Sequence, residues 1–289
     1  MWEGILNLIL TLILLRSNGS VVLNNDLKII NLNPKAPEIS VAADKSAVLS
    51  LDDRVFFYTH NADQTQPIAS ITKLMTALVF IENNPGWDTT YTISAGDQVE
   101  GGHLNLFPGE EVRISDLFKT SLIASDNGAT LALVHATELS EADFVKKMNE
   151  KALALGLKQT SFTDPVGLSD QNISTAREVA MLAKAALAKA EISQATETKD
   201  YEFETIDGRV KKVESTDYLL FDSEKNSFQV LGGKTGYTDR AGYCFVGRFK
   251  DEAGREIISV VLNSSGKNER FKESKSLVNW VFSNYDWRP

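Results

Sequence analysis

A serine and a lysine stand three residues apart, at positions 70 and 73, where a segment with helical periodicity begins. Residues at this spacing share one face of a helix. The first turn of a helix lies at the positive end of the helix dipole, which favours negative charge developing beside Ser70. A lysine that is partly desolvated can lose its proton, so Lys73 could act as the base that a serine nucleophile needs.

The pair alone is a weak signal, because the same spacing recurs at Ser264 and Lys267, in what we interpret as a turn. A capping serine followed by a solvated lysine is the ordinary explanation of such a pair. Two further motifs change this interpretation. Ser125-Asp126-Asn127 directly precedes a helical segment of small residues, and Lys234-Thr235-Gly236 ends a predicted strand.

The elements that must position these motifs are strands towards both ends of the chain and helices in its middle. Strand patterns lie at residues 39–43, 47–51, 55–59, 90–93, 201–205, 209–213, 230–234, 243–249 and 257–263. Helical patterns cover residues 70–82, 115–123, 127–136, 141–155, 175–190 and 269–282. We therefore predict an α+β fold in which an antiparallel sheet packs with N- and C-terminal helices. A helical lobe, at about residues 112–192, is inserted between the halves of the sheet, and the three motifs line the cleft between sheet and lobe.

Composition excludes several other kinds of site. The chain has 289 residues and a net charge of −9, which argues against a nucleic-acid surface. Its single cysteine, Cys244, excludes an intrachain disulfide and is expected to be a small buried hydrophobe. Its three histidines, His60, His103 and His135, form no motif of a zinc hydrolase or of a Ser-His-Asp triad. We expect no metal and no cofactor.

The N-terminal residues suggest export. The apolar run at 4–15 is short for a membrane span and typical of the hydrophobic part of a signal peptide. Glu3 before it and Arg16 after it are atypical of such a peptide, so cleavage and retention as an anchor both stay open. We predict a signal or anchor at 1–19, a linker at 20–37 and a catalytic domain at 38–289.

The order Ser-x-x-Lys, Ser-x-Asn, Lys-Thr-Gly is that of the penicillin-recognising serine acyl-transferases. From about residue 61 to residue 285, the chain resembles the low-molecular-weight penicillin-binding proteins of the D-alanyl-D-alanine carboxypeptidase family. The matching stretches are residues 61–63, 69–76, 107–110, 155–157, 163–168, 233–238 and 241–243. The resemblance implies a β-lactamase/transpeptidase-like fold.

The resemblance also implies a role for each motif residue. Ser70 would attack the carbonyl of the penultimate D-alanine, with Lys73 as its general base. Ser125 would relay protons towards the leaving D-alanine, and Asn127 would hold Lys73 and the substrate amide. Lys234 would place positive charge near the substrate carboxylate and Ser125.

Further contacts follow from the same resemblance. The backbone N–H groups of Ser70 and Tyr237 would form the oxyanion hole, contributing about 3–4 kcal/mol for each donor. Thr235 and Gly236 would bind substrate. Arg270 matches a position where the family places an arginine that is aimed at the terminal carboxylate; a solvated arginine at the start of a helix is the alternative.

Two segments depart from the family pattern. The middle motif is Ser-Asp-Asn, where the family more often has Ser-Gly-Asn, and residues 215–218 read Ser-Thr-Asp-Tyr in place of an asparagine-containing Thr-Asn segment. The second departure concerns substrate contacts at the rim of the cleft around Asp217, and leaves the acylation chemistry intact.

The resemblance implies an exported bacterial carboxypeptidase that acts on peptidoglycan stem peptides ending in D-Ala-D-Ala. β-Lactams would be covalent inhibitors, and the membrane would be contacted only through an uncleaved N-terminal segment. Three alternatives stay open: a D,D-endopeptidase on cross-linked muropeptides, a class A-like β-lactamase, and a non-catalytic cell-wall-peptide binder. The β-lactamase is disfavoured because the region after Ser-Asp-Asn lacks the required glutamate and offers Asp164 as its only carboxylate between residues 160 and 169.

Overall fold

The computed structural model describes residues 22–23, 29–33, 35–51, 55–99, 105–222 and 227–287. The longer strands are β1 (Lys45–Ser50), β2 (Phe56–His60), β3 (Asp200–Glu204), β4 (Val210–Glu214), β5 (Phe228–Thr238), β6 (Gly242–Asp251) and β7 (Glu256–Ser264). The α-helices are α1 (Lys73–Glu82), α2 (Ile114–Ile123), α3 (Asn127–Ala136), α4 (Glu141–Ala154), α5 (Ala176–Leu187), α6 (Ala190–Glu197) and α7 (Glu269–Asn284). The 3-10 turns are Ala69–Thr72, Ala95–Asp97 and Tyr218–Phe221.

Several short strands pair outside the main sheet. Ile29–Leu32 pairs with Val22–Leu23 and with Tyr285–Asp286, Gln66–Pro67 pairs with Ile173–Ser174, and Thr90–Thr92 pairs with Glu111–Arg113. The predicted signal or anchor at 1–19 lies outside the described residues. Within the described ranges, every helix is too short or too polar to cross a bilayer.

The main sheet has five antiparallel strands in the order β5-β6-β7-β1-β2, so it joins the two ends of the chain as the sequence predicts. Successive side chains of a strand point to opposite faces of the sheet. Ala47 and Leu49 belong to the core on the side of α1 and α5, whereas Val48 belongs to the core on the side of α7. Cys244 is fully buried in β6, as expected.

The helices of the middle segment bury small and aliphatic side chains. In α3, Ala129, Ala132 and Val134 have no exposed surface, which lets this helix pack closely against its neighbours. The helix α5 packs on β1 and β7. This middle segment therefore covers one face of the sheet, and its remaining helices extend beyond it.

Four predictions of local structure were wrong. Residues 39–43 form no strand, because Trp280 of α7 donates its indole N–H to the Pro37 carbonyl (2.8 Å) and the segment lies against that helix. The helix predicted at 175–190 ends at Leu187, and a separate helix, α6, follows it. Strand β5 continues to Thr238, so the Lys-Thr-Gly motif lies inside the strand and does not end it.

The fourth concerns the turn that carries Ser70. The sequence predicts a helix that already includes this residue, but α1 begins at Lys73 and Ser70 lies in the preceding 3-10 turn. Ala69 has a φ of +48°, a left-handed conformation that is uncommon for a residue with a side chain. Strain of this kind is characteristic of functional turns, and it sets the direction in which the Ser70 side chain leaves the backbone.

Candidate active site

The turn at Ser70 is held between a loop and the edge of the sheet. On one side, a Cβ atom at Gly167 would overlap the Ala69 carbonyl oxygen and would lie 2.9 Å from the Ser70 nitrogen. On the other side, a Cβ atom at Gly236 of β5 would lie 2.8 Å from the Ile68 carbonyl oxygen and 3.2 Å from the Ser70 nitrogen. Both positions therefore require glycine, and both fix the Ser70 backbone.

The Lys73 side chain is completely buried and has three polar neighbours. Its Nζ lies 2.9 Å from Ser70 Oγ, 2.8 Å from Asn127 Oδ1 and 2.7 Å from the Val166 carbonyl oxygen. Burial lowers the pKa of Lys73 to about 7, although the carboxylates of Asp126 and Asp164 act in the opposite direction. A neutral amine has two N–H donors and one lone pair. When the two donors point to Asn127 and Val166, the lone pair faces the Ser70 hydroxyl.

The Val166 carbonyl is itself held by an ordered loop. Asp164 Oδ1 accepts hydrogen bonds from the backbone N–H groups of Val166 (2.7 Å) and Gly167 (2.6 Å), and its Oδ2 accepts from that of Ser169 (2.8 Å). Asn172 Nδ2 donates to the Asp164 carbonyl (2.8 Å). The loop is thus preorganised so that its Val166 carbonyl accepts a hydrogen bond from the Lys73 amine. The sequence at 163–168 matches the family but does not indicate this role.

The second serine and the second lysine form a matching pair across the cleft. Lys234 Nζ, on β5, donates to Ser125 Oγ at 2.7 Å, and Ser125 has a φ of +58° in the turn before α3. Burial lowers the pKa of Lys234 well below its ordinary value, and the neighbouring charges of Lys73 and Arg270 lower it further, whereas Asp217 raises it.

Asp126, the residue that departs from the family pattern, has a structural role. Its Oδ1 accepts from the Ala129 N–H (2.7 Å) and caps α3, and its Oδ2 accepts from the backbone and side chain of Asn105 (both 2.8 Å). This carboxylate therefore ties the Ser125 turn to the segment at Asn105, which also lines the cleft.

The far end of the cleft is rich in hydroxyl and cationic groups. Thr235 Oγ1 lies 2.7 Å from Thr216 Oγ1, a residue that the sequence indicated only as part of an atypical segment. Arg270 lines the cleft, and its Nη1 donates to the carbonyls of Gly236 (3.1 Å) and Cys244 (3.3 Å). It is buried, which excludes a solvated arginine.

Asp217 lies beneath this end and is almost fully buried. Its Oδ1 accepts from the Leu219 N–H (3.0 Å), while its Oδ2 is buried without a partner. Burial raises the pKa of Asp217 to about 7, against the lowering effects of that N–H and of the charges on Arg270 and Lys234. Below this pH the Asp217 carboxyl group is uncharged. It then resembles the asparagine side chain that the family has in this segment.

The cavity that joins these groups has a volume of about 780 Å³. Of the residues predicted for the site, Ser70, Ser125, Asn127, Thr235, Gly236, Tyr237 and Arg270 line it. Lys73 and Lys234 lie buried beneath it, in contact with the two serines. The structure thus brings together every residue that the sequence analysis assigned to the site.

The Lys73 environment predicts the pH dependence of acylation. The base must be neutral, so with a pKa of about 7 the second-order rate of Ser70 acylation by benzylpenicillin should rise about tenfold from pH 6 to pH 8 and then level off. Stopped-flow acylation at constant ionic strength measures this profile. Far-UV circular dichroism at each pH is the control for folding, and a flat profile across this range would contradict a neutral Lys73 base.

The fold and these paired serine–lysine contacts define a serine acyl-transferase of the penicillin-recognising class. The family model described as D-alanyl-D-alanine carboxypeptidase matches residues 32–266. The chain belongs to this family, as its motifs predicted.

Individual relatives agree with this assignment. D-alanyl-D-alanine carboxypeptidase DacF of Bacillus subtilis is 32% identical over 262 residues, which are 88% of this chain and 66% of the relative. A D-alanyl-D-alanine endopeptidase of Haemophilus influenzae is 36% identical over 233 residues, which are 77% of this chain and 78% of the relative. This chain thus spans slightly under two thirds of DacF and more of the endopeptidase.

Solved structures confirm the predicted fold. The Streptomyces K15 DD-transpeptidase superposes with a TM-score of 0.78 at 25% identity, over 86% of this chain and 99% of that protein. Penicillin-binding protein D2 of Listeria monocytogenes, in its cefotaxime-bound form, gives a TM-score of 0.73 at 31% identity over 85% and 99%.

Proposed function

We propose that the chain is a serine-type D-Ala-D-Ala carboxypeptidase that acts on peptidoglycan stem peptides through an acyl-enzyme on Ser70. The observation that carries the proposal is the Lys73 amine, whose contacts with Asn127 and Val166 direct its lone pair at the Ser70 hydroxyl. Substrate binding, by this proposal, places the carbonyl of the penultimate D-alanine over Ser70. The terminal carboxylate lies at the end of the cleft formed by Thr235 and Arg270.

The acylation step follows from these positions. Lys73 accepts the hydroxyl proton as Ser70 Oγ attacks the carbonyl carbon, and the backbone N–H groups of Ser70 and Tyr237 stabilise the negative oxygen. The C–N bond then breaks. The leaving nitrogen takes up a proton through Ser125, which is hydrogen-bonded to Lys234 (2.7 Å). Free D-alanine departs with its carboxylate.

Deacylation uses the same groups in reverse. Water enters the position that the leaving amine has vacated and gives a proton to the Lys73 amine as it attacks the ester carbonyl. The ester C–O bond breaks, Lys73 returns this proton to Ser70 Oγ, and the new carboxyl group of the shortened peptide loses its remaining proton to solvent. We propose that Arg270 and Lys234, whose protonated form the bound carboxylate favours, hold the substrate carboxylate during acylation, and that neither accepts the proton of the attacking water.

The reaction can be tested with a stem pentapeptide that ends in D-Ala-D-Ala. We expect stoichiometric release of D-alanine, measured with a coupled D-amino-acid oxidase assay, and no release from a peptide that ends in D-Ala-L-Ala under an L-alanine assay. Covalent labelling by a fluorescent penicillin in the same preparation reports acylation separately. Absence of both labelling and D-alanine release would favour a non-catalytic binder.

The β-lactamase alternative makes a different prediction about β-lactam turnover. Asp164, the carboxylate at the relevant position, accepts backbone N–H groups with both oxygens and so has little capacity left to activate a water. We expect one equivalent of a chromogenic cephalosporin to acylate the protein rapidly. Hydrolysis of the acyl-enzyme should then be slow, with a half-life of minutes or longer. Burst kinetics distinguish the two enzymes, since a class A β-lactamase would sustain rapid hydrolysis without a burst limited to one equivalent.

The place of action is part of the proposal. Stem peptides lie outside the cytoplasmic membrane, so residues 1–19 would act as an export signal or a retained anchor, residues 20–37 as a linker and residues 38–289 as the catalytic domain. The family supports an extracytoplasmic substrate, and β-lactams would act as covalent inhibitors there, as the cefotaxime-bound Listeria relative indicates.

A further inference from the structure

Ser125 has an unusual backbone conformation that its neighbours must maintain. Its φ of +58° lies in the left-handed region, which costs a residue with a side chain about 1–3 kcal/mol. Such a conformation persists only where the surrounding structure enforces it. The groups that enforce it therefore also determine where the Ser125 hydroxyl points.

One of these contacts begins at Asp126, the next residue in the chain. Asp126 is fully buried, and its Oδ2 accepts hydrogen bonds from the backbone N–H and the side-chain amide of Asn105, each at 2.8 Å. Its Oδ1 is used by the Ala129 N–H (2.7 Å). A glycine at this position, as in the more common family motif, has no side-chain acceptor and could not make the connection to Asn105.

Lys211 of β4 holds the other side of Asn105. Its Nζ donates to the Asn105 carbonyl (3.1 Å) and forms an ion pair with Glu110 (2.7 Å). The Lys211 side chain is 14% exposed and that of Glu110 is 2% exposed, so water competes little for either contact. Burial acts to raise the pKa of Glu110, but its hydrogen bonds with Lys211 and with the Phe107 N–H hold that pKa below its ordinary value. The ion pair therefore persists at neutral pH.

The same face of β4 also contacts the residues before Ser125. Lys211 and Val213 are two positions apart, so their side chains point to the same side of the strand. Val213 is buried against Ile123 and Ala124, at the end of α2. One face of β4 thus supports the turn twice, through apolar packing before the serine and through the hydrogen bonds of Lys211 after it.

We infer that Lys211 is a positioning residue that holds Ser125 where this serine passes a proton to the leaving nitrogen. It acts through the two hydrogen-bonded residues between them and lies outside the lining of the cleft. This inference rests on the proposed function. As the C–N bond breaks, the nitrogen receives the Ser125 hydroxyl proton, which is replaced by the proton that Lys73 took from Ser70. An amine cannot leave as an anion, so acylation by a peptide depends on the position of Ser125.

A change of leaving group tests this role. In a thiolester analogue of the pentapeptide, sulfur replaces the nitrogen of the terminal D-alanine, while its methyl group and carboxylate are kept. A thiol has a pKa of about 8.5, so the C–S bond can break with departure of a thiolate that needs no proton. Acylation by the thiolester should therefore be insensitive to the position of Ser125, whereas acylation by the peptide should depend on it.

Lys211→Met keeps the length of the side chain and removes its hydrogen bonds. We expect kcat/KM for the pentapeptide to fall about tenfold, which is part of the roughly 10²–10⁴-fold that a general acid contributes, because Ser125 is displaced but still present. For the thiolester, kcat/KM should stay within about twofold of the wild type. Release of D-alanine and release of thiol measure the two reactions at pH 8, above the Lys73 pKa of about 7.

Asp126→Asn breaks the same series of hydrogen bonds at a second point. An asparagine has one acceptor oxygen instead of two, so it cannot cap α3 and accept from Asn105 together. Burial lowers the pKa of Lys73 and the Asp126 charge opposes this, so loss of the charge favours the neutral base. We therefore expect the same selective loss on the peptide, and this variant decides the question if Lys211→Met does not fold.

Lys151→Met is the matched control. Lys151, on α4, also pairs with a glutamate, Glu82, and its side chain is also partly buried, but it lies outside the lining of the cleft. The same chemical change there should leave kcat/KM for both substrates unchanged. Thermal unfolding shows which of the three variants are folded at the assay temperature.

The outcomes separate this inference from the proposed function. Equal loss on the peptide and on the thiolester would show a general structural effect and overturn the inference. Full activity on the peptide in either folded variant, Lys211→Met or Asp126→Asn, would overturn it as well. If the wild type cleaves neither substrate and takes up no penicillin label, the proposed function itself is rejected.

Discussion

A Ser70→Ala protein should fold normally and lose peptide hydrolysis and penicillin labelling together, by on the order of 10⁴-fold or more. The reason is that every proposed step passes through a covalent bond to Ser70 Oγ, which lies 2.9 Å from the Lys73 amine. Removal of a single hydroxyl at a half-buried position should cost stability only about 1 kcal/mol. D-Alanine release, fluorescent-penicillin labelling and thermal unfolding measure the three quantities.

The chain supplies its own control for this substitution. Ser264 has the same spacing to a lysine as Ser70, and its Oγ is buried without a hydrogen-bond partner. Ser264→Ala should therefore retain full activity and close to full stability, because no interaction is removed. Residual penicillin labelling of Ser70→Ala at a wild-type rate would show that the acylated residue is another one.

Gly167→Ala should have the second-largest effect, although the residue bears no functional group. Gly167 has a φ of +92°, and a Cβ atom there would overlap the Ala69 carbonyl oxygen next to Ser70. Backbone strain and the overlap together should destabilise the fold by about 2–5 kcal/mol. The displaced turn should also move Ser70 away from Lys73, and a shift of 1 Å can lower a rate about 100-fold.

Gly254→Ala separates strain from overlap. Gly254, in the turn between β6 and β7, has a φ of +85° and no atom within 4 Å of its would-be Cβ. The Gly254→Ala protein should lose about 1–2 kcal/mol of stability, because only the backbone strain remains, and it should keep its acylation rate. Urea unfolding and the rate of penicillin acylation should be measured for both variants. Equal behaviour of the two alanine variants would show that the contact between the 164–172 loop and the Ser70 turn is unimportant.

The sequence predicted the sheet, most of the helices and all of the motif residues, since these depend on local periodicity and on short patterns. The sequence-based predictions were wrong where contacts between distant segments determine the local structure. The helix α6 has eight residues, too few to be stable alone, and it forms against β5. The Val166 carbonyl is a backbone group, so the residue type at that position does not indicate its contact with Lys73. Thr216 reaches Thr235 only because the 215–218 segment folds over β5.

The departure at Asp126 was visible in the sequence, but its meaning was not. Its two oxygens serve α3 and Asn105, contacts that link segments 21 residues apart in the chain. The sequence shows an acidic residue between two polar ones. Such a residue could be a structural hydrogen-bond acceptor or a charge beside the reacting groups. Only the geometry shows that Asp126 joins the Ser125 turn to Asn105 and takes no part in proton transfer.

The position of β5 at the edge of the main sheet has a consequence for recognition. Helix α6 packs on this strand, and Gly232, whose Cβ would overlap Thr196, marks the close approach. Further along, from Thr235 to Thr238, the same strand lines the catalytic cleft. An extended peptide laid there can act as a sixth strand, held by main-chain hydrogen bonds that any amide can make. Binding would then complete the sheet, and the chirality of the ligand, more than its side chains, would decide whether it fits.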